Sequence, residues 1–423
     1  MKKLLKTYIV SLILISNYVI GQKKLSLSDA VKITLENNLD IKIVENQDEI
    51  FKNNASFLNS GYLPTISSKA GINKSEQNIE IETPNNLSGK LDNMKSENSY
   101  SNISLNYILL DNSGRNFNYK KSKELSNRSK LEVKEVIENT LLQLFTVYYE
   151  VCRLFEEREI IKSSLEISKT RLERKNTEFE FGQSTKLEVL NAEVDVNTDS
   201  IKLLSSIKNL SNAKRDLNLI MNVDLNSNYD LDKNIFYNSK DKISEFYNNA
   251  AENNTRLKIY DKSVDISNYE LKSIKSTYLP TIGLVGSYDW NESINDNPYA
   301  FFNKNIYDGI SGGINLSWNI FNSGKRITAN KNAKIKLENS KIEKEKVFLI
   351  FQKELNNAYE TYINNLFILE VQEKSLLTSE NNFLRNLEKY NIGIVSSIEF
   401  RRAQINLLNA KLSRNTAMYE GKV

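Results

Sequence analysis

Histidine is absent from all 423 residues, and the single cysteine is Cys152. Without histidine or a cysteine pair, the usual nitrogen and sulfur ligand sets for zinc, haem or iron–sulfur clusters cannot be assembled, so neither metal nor cofactor is expected. Histidine-based acid–base catalysis is excluded on the same ground, and a lone cysteine forms no internal disulfide. Cys152 stands beside Val151 and Leu154 in a helical pattern, which reads as core. No glycine-rich phosphate loop is present. The 53 acidic residues are spread along amphipathic segments as solvated faces rather than as a convergent catalytic set, so the chain is not read as an enzyme.

Charge of one sign is also lacking. Residues 1–21 read as a secretory signal peptide, with Lys2, Lys3 and Lys6 ahead of an apolar run from Tyr8 to Ile20. Removing them leaves 54 basic residues against 53 acids, a balance that predicts no nucleic-acid partner. That run is short and is interrupted by Ser11, Ser16 and Asn17, which favours cleavage over a membrane anchor.

Helix breakers are scarce and unevenly placed. The four prolines (Pro64, Pro84, Pro280, Pro298) and most of the 14 glycines fall in two windows, about 61–114 and 280–324. Between them run tracts free of both, 115–181, 183–279 and 325–392, with Gly182 and Gly393 standing alone. A helix over 115–181 would rise about 100 Å at 1.5 Å per residue. Its apolar residues recur in steps of three and four, Val133, Ile137, Leu141, Leu144, Tyr148, Val151 and Phe155. That is the stripe of a helix packed along its length, and Phe348, Phe351, Leu355, Ala358, Tyr362, Leu366 and Leu369 repeat it in the third tract.

Inside the breaker-rich windows the period changes to two. Ile103, Leu105, Tyr107 and Leu109 alternate with small polar neighbours, as do Ile310, Ile314, Leu316, Trp318 and Ile320. A looser alternation follows each YLP phrase, so each window predicts two strands joined by a polar loop, about 64–110 and 280–321.

The pattern is an internal duplication. Tyr62 to Ile66 and Tyr278 to Ile282 both read YLPTI; Asn112-Ser113-Gly114 recurs as Asn322-Ser323-Gly324; Gly182, Glu188 and Ala192 recur as Gly393, Glu399 and Ala403. Proline lacks an amide donor and disfavours helix in the preceding residue, so Pro64 and Pro280 end a helix and start a strand. The Asn-Ser-Gly turns, at Gly114 and Gly324, then end the strand pair and launch the long helix. The predicted organisation is a first repeat over 22–221, a linker over 222–242 that is either a belt or a flexible tether, and a second repeat over 243–423.

Two strands per repeat give four, and four strands cannot close on themselves. An apolar face opposite a small polar one suits a barrel with lipid outside and water inside. Open strand edges are not tolerated in lipid, so several copies must then share one barrel.

From "LSLSDAVKITLENNLDIKI" through both YLP phrases to "EFEFGQSTKLEVLNAEVDV" and "EKYNIGIVSSIEFRRAQINL", nearly the whole chain after the leader resembles the TolC family of outer-membrane exit ducts. The resemblance implies an α+β membrane protein: an internally duplicated, long α-helical barrel and a transmembrane β-barrel completed by trimerisation, four strands per chain. It also implies an outer-membrane location in a Gram-negative bacterium with extension into the periplasm, and passive export of small toxic molecules or proteins. The implied partners are two further copies, outer-membrane lipid, a periplasmic adaptor and an inner-membrane transporter.

In that family the tips, here Gly182 and Gly393, close the periplasmic entrance and dock the adaptor. Glycine suits a helix end where the chain reverses through the left-handed region. The family often carries acidic residues six and nine positions after the second tip glycine as a constriction ring. Here these positions hold Glu399 and Arg402: either a ring of Glu399 attracts cations, or Glu399 pairs within or across chains with Arg402, flanked by Arg401, or these are ordinary surface charges one helical turn apart; Glu188 is a weaker candidate for a tip contact. A periplasmic adaptor or pore-free helical scaffold is the alternative, but an adaptor should have one hairpin and several small β domains. A trimeric coiled-coil adhesin would show strict heptads and no strand pairs.

Overall fold

The computed structural model describes residues 24–82, 88–232, 237, 240–298 and 301–422. The expected signal peptide therefore lies outside the described residues, as does Pro84. In chain order the elements are β1 (Lys24–Leu25), α1 (Leu27–Asn37), α2 (Leu39–Asn54), β2 (Thr65–Glu82), β3 (Ser88–Leu110), α3 (Gly114–Glu180) and α4 (Lys186–Met221). They continue with β4 (Asp230–Leu231), α5 (Lys240–Asn253), α6 (Thr255–Ser276), β5 (Thr281–Asn295), β6 (Lys304–Ser317), α7 (Lys325–Asn391) and α8 (Ser397–Glu420). The helices α3 and α7 each run 67 residues without a break. No described helix is long and apolar enough to cross a membrane.

Contacts divide the chain into two units, one of 1–46, 132–255 and 349–423, the other of 47–131 and 256–348. Both sequence repeats contribute to each unit.

In the first unit the stripe on α3 becomes core: Leu144, Tyr148, Val151 and Cys152 are fully buried against Leu210, Leu217 and Met221 of α4 and Ala30 of α1. Ser26 and Asp29 cap α1 reciprocally, satisfying two amides that the helix start leaves unpaired. The segment between the repeats is anchored rather than free at its start. Asn222 ends α4 in the left-handed conformation, and β4 pairs in parallel with β1. The Tyr148 hydroxyl, which donates to Leu25 O or Asp232 O at 2.9 and 3.1 Å, sits between the two strands.

In the second unit the four long strands form one antiparallel sheet in the order β2-β3-β5-β6. The pairing of β3 with β5 joins the two repeats, and β2 and β6 are the edges.

Each junction between strands and helices repeats one device. Arg115 lies 4.9 Å over the Tyr62 ring and reaches Gly61 O and Leu109 O. Arg326 lies 4.5 Å over the Tyr278 ring and donates to Thr277 O, Asn319 O and Ile320 O at 2.9, 2.8 and 3.1 Å. The YLP tyrosine is thus a platform for the arginine that opens the next helix.

Three expectations need correction here. The last strand stops at Ser317, short of Trp318 and Ile320. Trp318 Nε1 donates to Tyr278 O, and Arg326 takes the carbonyls of Asn319 and Ile320, so these groups bind the junction instead of extending the ladder. A bulge between Ile108 and Leu110 ends the simple alternation of β3. Gly114 is the first residue of α3 rather than the turn itself, and Asn112 and Ser113 take the positive φ angles, 54° and 68°. A Cβ on Gly114 would meet Ser276 Oγ at 2.7 Å, so close packing, not backbone freedom, calls for glycine there. In the second repeat Ser323 and Gly324 take φ of 57° and 80°.

Candidate functional site

The sheet has two chemically different faces, and its register shows which residues share each. Ser67, Ser104, Ser287 and Ser311 are successive partners across all four strands. Their hydroxyls bond pairwise, Ser67 to Ser104 at 2.9 Å and Ser287 to Ser311 at 2.8 Å. On the next row of the same face, Asn102 donates to Asp289 at 2.5 Å. One residue out of phase, on the opposite face, Ile103, Tyr288 and Ile310 are partners, and so are Leu284 and Ile314. Ile310 and Ile314 are 88% and 72% exposed in the single chain, so this apolar face is uncovered. Water suits the first face and hydrocarbon the second.

The long helices turn back in the first unit. Gly182 and Gly393 follow α3 and α7 with φ of 73° and 78°, and a Cβ on either would meet nothing within 4 Å. Backbone conformation alone therefore asks for glycine at these two turns.

Glu188 is the third residue of α4. Its carboxylate accepts from Ser184 Oγ at 2.5 Å and from Lys175 Nζ at 3.3 Å, and Lys175 also binds Glu178 at 2.7 Å. The Ser184 hydroxyl, aided by Lys175, holds the Glu188 carboxyl below the usual range. Burial alone would lower the pKa of Lys175, yet its acidic partners raise it overall.

Glu399 occupies the equivalent position of α8. It accepts from Ser396 N at 2.9 Å and Ser396 Oγ at 3.0 Å in a capping box, and these donors, the backbone amide first, lower its pKa. Within the chain its carboxylate thus serves Ser396, and Arg402 lies exposed on the same helix.

Arg401 departs from its expected place beside Glu399. It is buried and makes a two-pronged ion pair with Asp199, Nη1 to Oδ2 at 2.7 Å and Nη2 to Oδ1 at 2.8 Å. Asp199 also accepts from Ser168 Oγ at 2.6 Å, and Gln404 Nε2 reaches Ser164 O and Ser168 Oγ at 2.8 and 2.9 Å. A neighbouring pair, Arg171 with Asp195, adjoins it, with Arg401 Nε 3.4 Å from Asp195. This cluster fastens α8 to both α3 and α4. A charged group so deep needs a partner, because desolvation otherwise disfavours the ion. A signal for it was present in the sequence: Asp199 falls on the stripe of Val189, Ala192, Ser206 and Leu210, which α4 buries.

A third link holds the second tip. Arg174 lies 4.5 Å over the Tyr390 ring, and Tyr390 stacks on Phe400 with centroids 4.6 Å apart and planes 3° apart. Among the described residues no cluster of three metal-ligating side chains is formed. The carboxylates near the tips accept from cations, hydroxyls and amides, an arrangement that holds helices in place.

Two adjacent stretches, residues 30–223 and 246–421, match the model of the outer membrane efflux protein family. The chain belongs to that family. The two stretches cover both halves of the duplication. Among solved structures the chain is similar to the CmeC outer membrane channel of Campylobacter jejuni, with a TM-score of 0.77 and 17% identity over 93% of this chain and 82% of that one. It is similar to VceC of Vibrio cholerae, with a TM-score of 0.76 and 10% identity over 93% of each chain. The open state of the MtrE channel of Neisseria gonorrhoeae gives a TM-score of 0.65 at 13% identity, over 94% of this chain and 86% of that one. No curated protein sequence matches. The fold is therefore that of outer membrane channels: long helices, a small antiparallel sheet, and an internal duplication.

Proposed function

We propose that this family member is the outer-membrane exit duct of a tripartite efflux or type I secretion system, passively conducting substrate delivered by an inner-membrane transporter and a periplasmic adaptor. The observation that carries the reading is the four-stranded sheet with a hydroxyl and amide face, an apolar face, and edge strands of 18 and 14 residues. Edges of that length cannot stay open in lipid, and three copies would close them into one 12-stranded barrel.

The helices support the same assembly. Along α4, Leu187, Leu190, Val194, Ile201 and Leu204 form an exposed seam at steps of three, four and seven. On α7, Leu349, Phe367, Val371, Leu377 and Leu384 are likewise exposed. The seam on α4 matches a helix of a neighbouring copy. No bound nucleotide motif occurs in the chain, so energy comes from the transporter.

The tips at Gly182 and Gly393 form the periplasmic entrance and meet the adaptor in this reading. Glu399 and Arg402 then pair between copies rather than within one, since the Glu399 carboxylate caps its own helix. The test is single-channel conductance of the processed protein in a planar bilayer, with its mass in detergent. Discrete pores from a trimer support the duct; a water-soluble monomer that never conducts overturns it and returns the chain to a scaffold or adaptor role.

A further inference from the structure

Along the helices near the tips the two repeats correspond position for position, and the correspondence sets buried faces against uncovered ones. The spacing that carries Gly182 to Gly393 carries Ser164, Ser168 and Arg171 of α3 to Ser375, Ser379 and Asn382 of α7. It also carries Leu190, Glu193 and Leu204 of α4 to Arg401, Gln404 and Asn415 of α8. Within the chain α8 lies on α3. Gln404 Nε2 donates to Ser164 O at 2.8 Å, Arg401 Nη1 to Ser168 Oγ at 2.9 Å, and Asn415 Nδ2 to Arg153 O at 2.9 Å. Ser164, Ser168 and Arg171 are buried in this joint, as are Arg401, Gln404 and Asn415. Their counterparts are not: Ser375 and Asn382 are exposed, Ser379 is half-buried, and Leu190, Glu193 and Leu204 are exposed. One chain thus holds a mated joint and the two separate halves of a second.

The charges of the first joint have no charged counterparts in the second. Arg171, Asp195, Asp199 and Arg401 pair inside the chain, whereas the corresponding positions hold Asn382, Asn406, Ala410 and Leu190. At these four positions no ion is stripped of water when the second joint closes. Where Gln404 has Glu193 as its counterpart, the hydroxyls of Ser375 and Ser379 are donors suited to a carboxylate.

We infer that α4 of one copy docks on α7 of the next as α8 docks on α3 within the chain, with Leu190 in the place of Arg401 and Glu193 in that of Gln404, against Ser375 and Ser379. The inference rests on the duct reading above and names the joint that closes its helical wall. A second copy is the occupant because each uncovered face corresponds to one that the chain already mates with the other. The contact is head-to-tail, the kind that builds a ring when its rotation closes. A buried ion pair fastens the first joint and is absent from the second, so the entrance widens at the joints between copies while each copy's own joint holds.

The experiment places cysteine pairs in the full chain, where the buried Cys152 offers no competing thiol. Glu193→Cys/Ser379→Cys is expected to link copies on oxidation, giving dimer and trimer bands in denaturing gels run without reductant. Neither single variant should do so. Nor should Glu193→Cys/Asn386→Cys, whose second thiol lies about 10 Å further along α7. In a planar bilayer, oxidation of the Glu193→Cys/Ser379→Cys protein is expected to lower conductance and reduction to restore it. Trimers that show no link between 193 and 379, or link equally well through the displaced pair, overturn the docking. A link that leaves conductance unchanged overturns the widening at that joint. A wild type that stays monomeric and forms no pore strikes the duct reading itself, whereas a conducting wild-type trimer whose paired variant does not link strikes only the docking.

Discussion

Arg401 and Asp199, 202 positions apart in sequence, meet through hydrogen bonds of 2.7 and 2.8 Å with side chains only 9% and 2% exposed. Removing either partner leaves the other buried without its counter-charge. Arg401→Ala is expected to destabilise the protein by about 3–5 kcal/mol, read as a lower denaturation midpoint. A change below about 1 kcal/mol would show that water replaces the pair.

The same pair gives a pH dependence. Burial pushes the Asp199 carboxyl up, but hydrogen bonds from Arg401 and Ser168 and the Arg401 charge outweigh it, so its pKa falls below the ordinary 3.8. A depressed folded-state pKa contributes stability that is fully present above the unfolded value and is lost as pH falls through the folded one. The difference in stability between wild type and Asp199→Asn is therefore expected to be constant above about pH 5 and to shrink below about pH 4. Acid titration of both by thermal unfolding checks this, and a difference that persists to low pH contradicts it.

Gly182 and Gly393 are strained for any other residue by backbone conformation alone, since nothing crowds either position. Alanine at each is expected to cost about 1–2 kcal/mol, and asparagine less, measured by equilibrium unfolding. Equal stability of the alanine and glycine forms would mean that the turn rearranges freely.

Arg326 satisfies three carbonyls and covers the Tyr278 ring. Lysine keeps the charge but lacks the planar fork, so Arg326→Lys is expected to lose about 1–3 kcal/mol, close to the loss from Arg326→Ala. Thermal melting in detergent distinguishes this from a purely electrostatic role, in which lysine would restore stability.

The two faces of β6 should respond oppositely to charge. Ile310→Arg puts a cation on the apolar face and is expected to impair membrane assembly, at about 2–4 kcal/mol near the bilayer midplane. Ser311→Arg, one residue on, is expected to assemble normally and shift ion selectivity toward anions. Heat-modifiable trimer bands and reversal potentials separate the two, and equal damage from both would refute the facial assignment.

If the tips form the entrance as proposed and Arg402 pairs with Glu399 of a neighbouring copy, Arg402→Ala is expected to raise conductance. Glu399→Gln should raise it as well while weakening the capping of α8. Conductance unchanged by Arg402→Ala removes the pair from the gate.

Much of this was legible from residue order. The breaker-free tracts foretold α3 and α7, because an uninterrupted apolar stripe of period 3.6 has one way to be buried. The period-two windows foretold the strands, and the repeated YLPTI and Asn-Ser-Gly phrases marked where period and direction change. Local pattern states which way a side chain points, but not what it meets. Nothing in sequence paired Arg401 with Asp199 instead of Glu399, since a guanidinium takes whichever carboxylate packing brings within reach. Nothing in it joined β3 to β5 or ended β6 at Ser317. Those outcomes depend on the register between strands and the packing of helices far apart in sequence, which only the tertiary structure fixes.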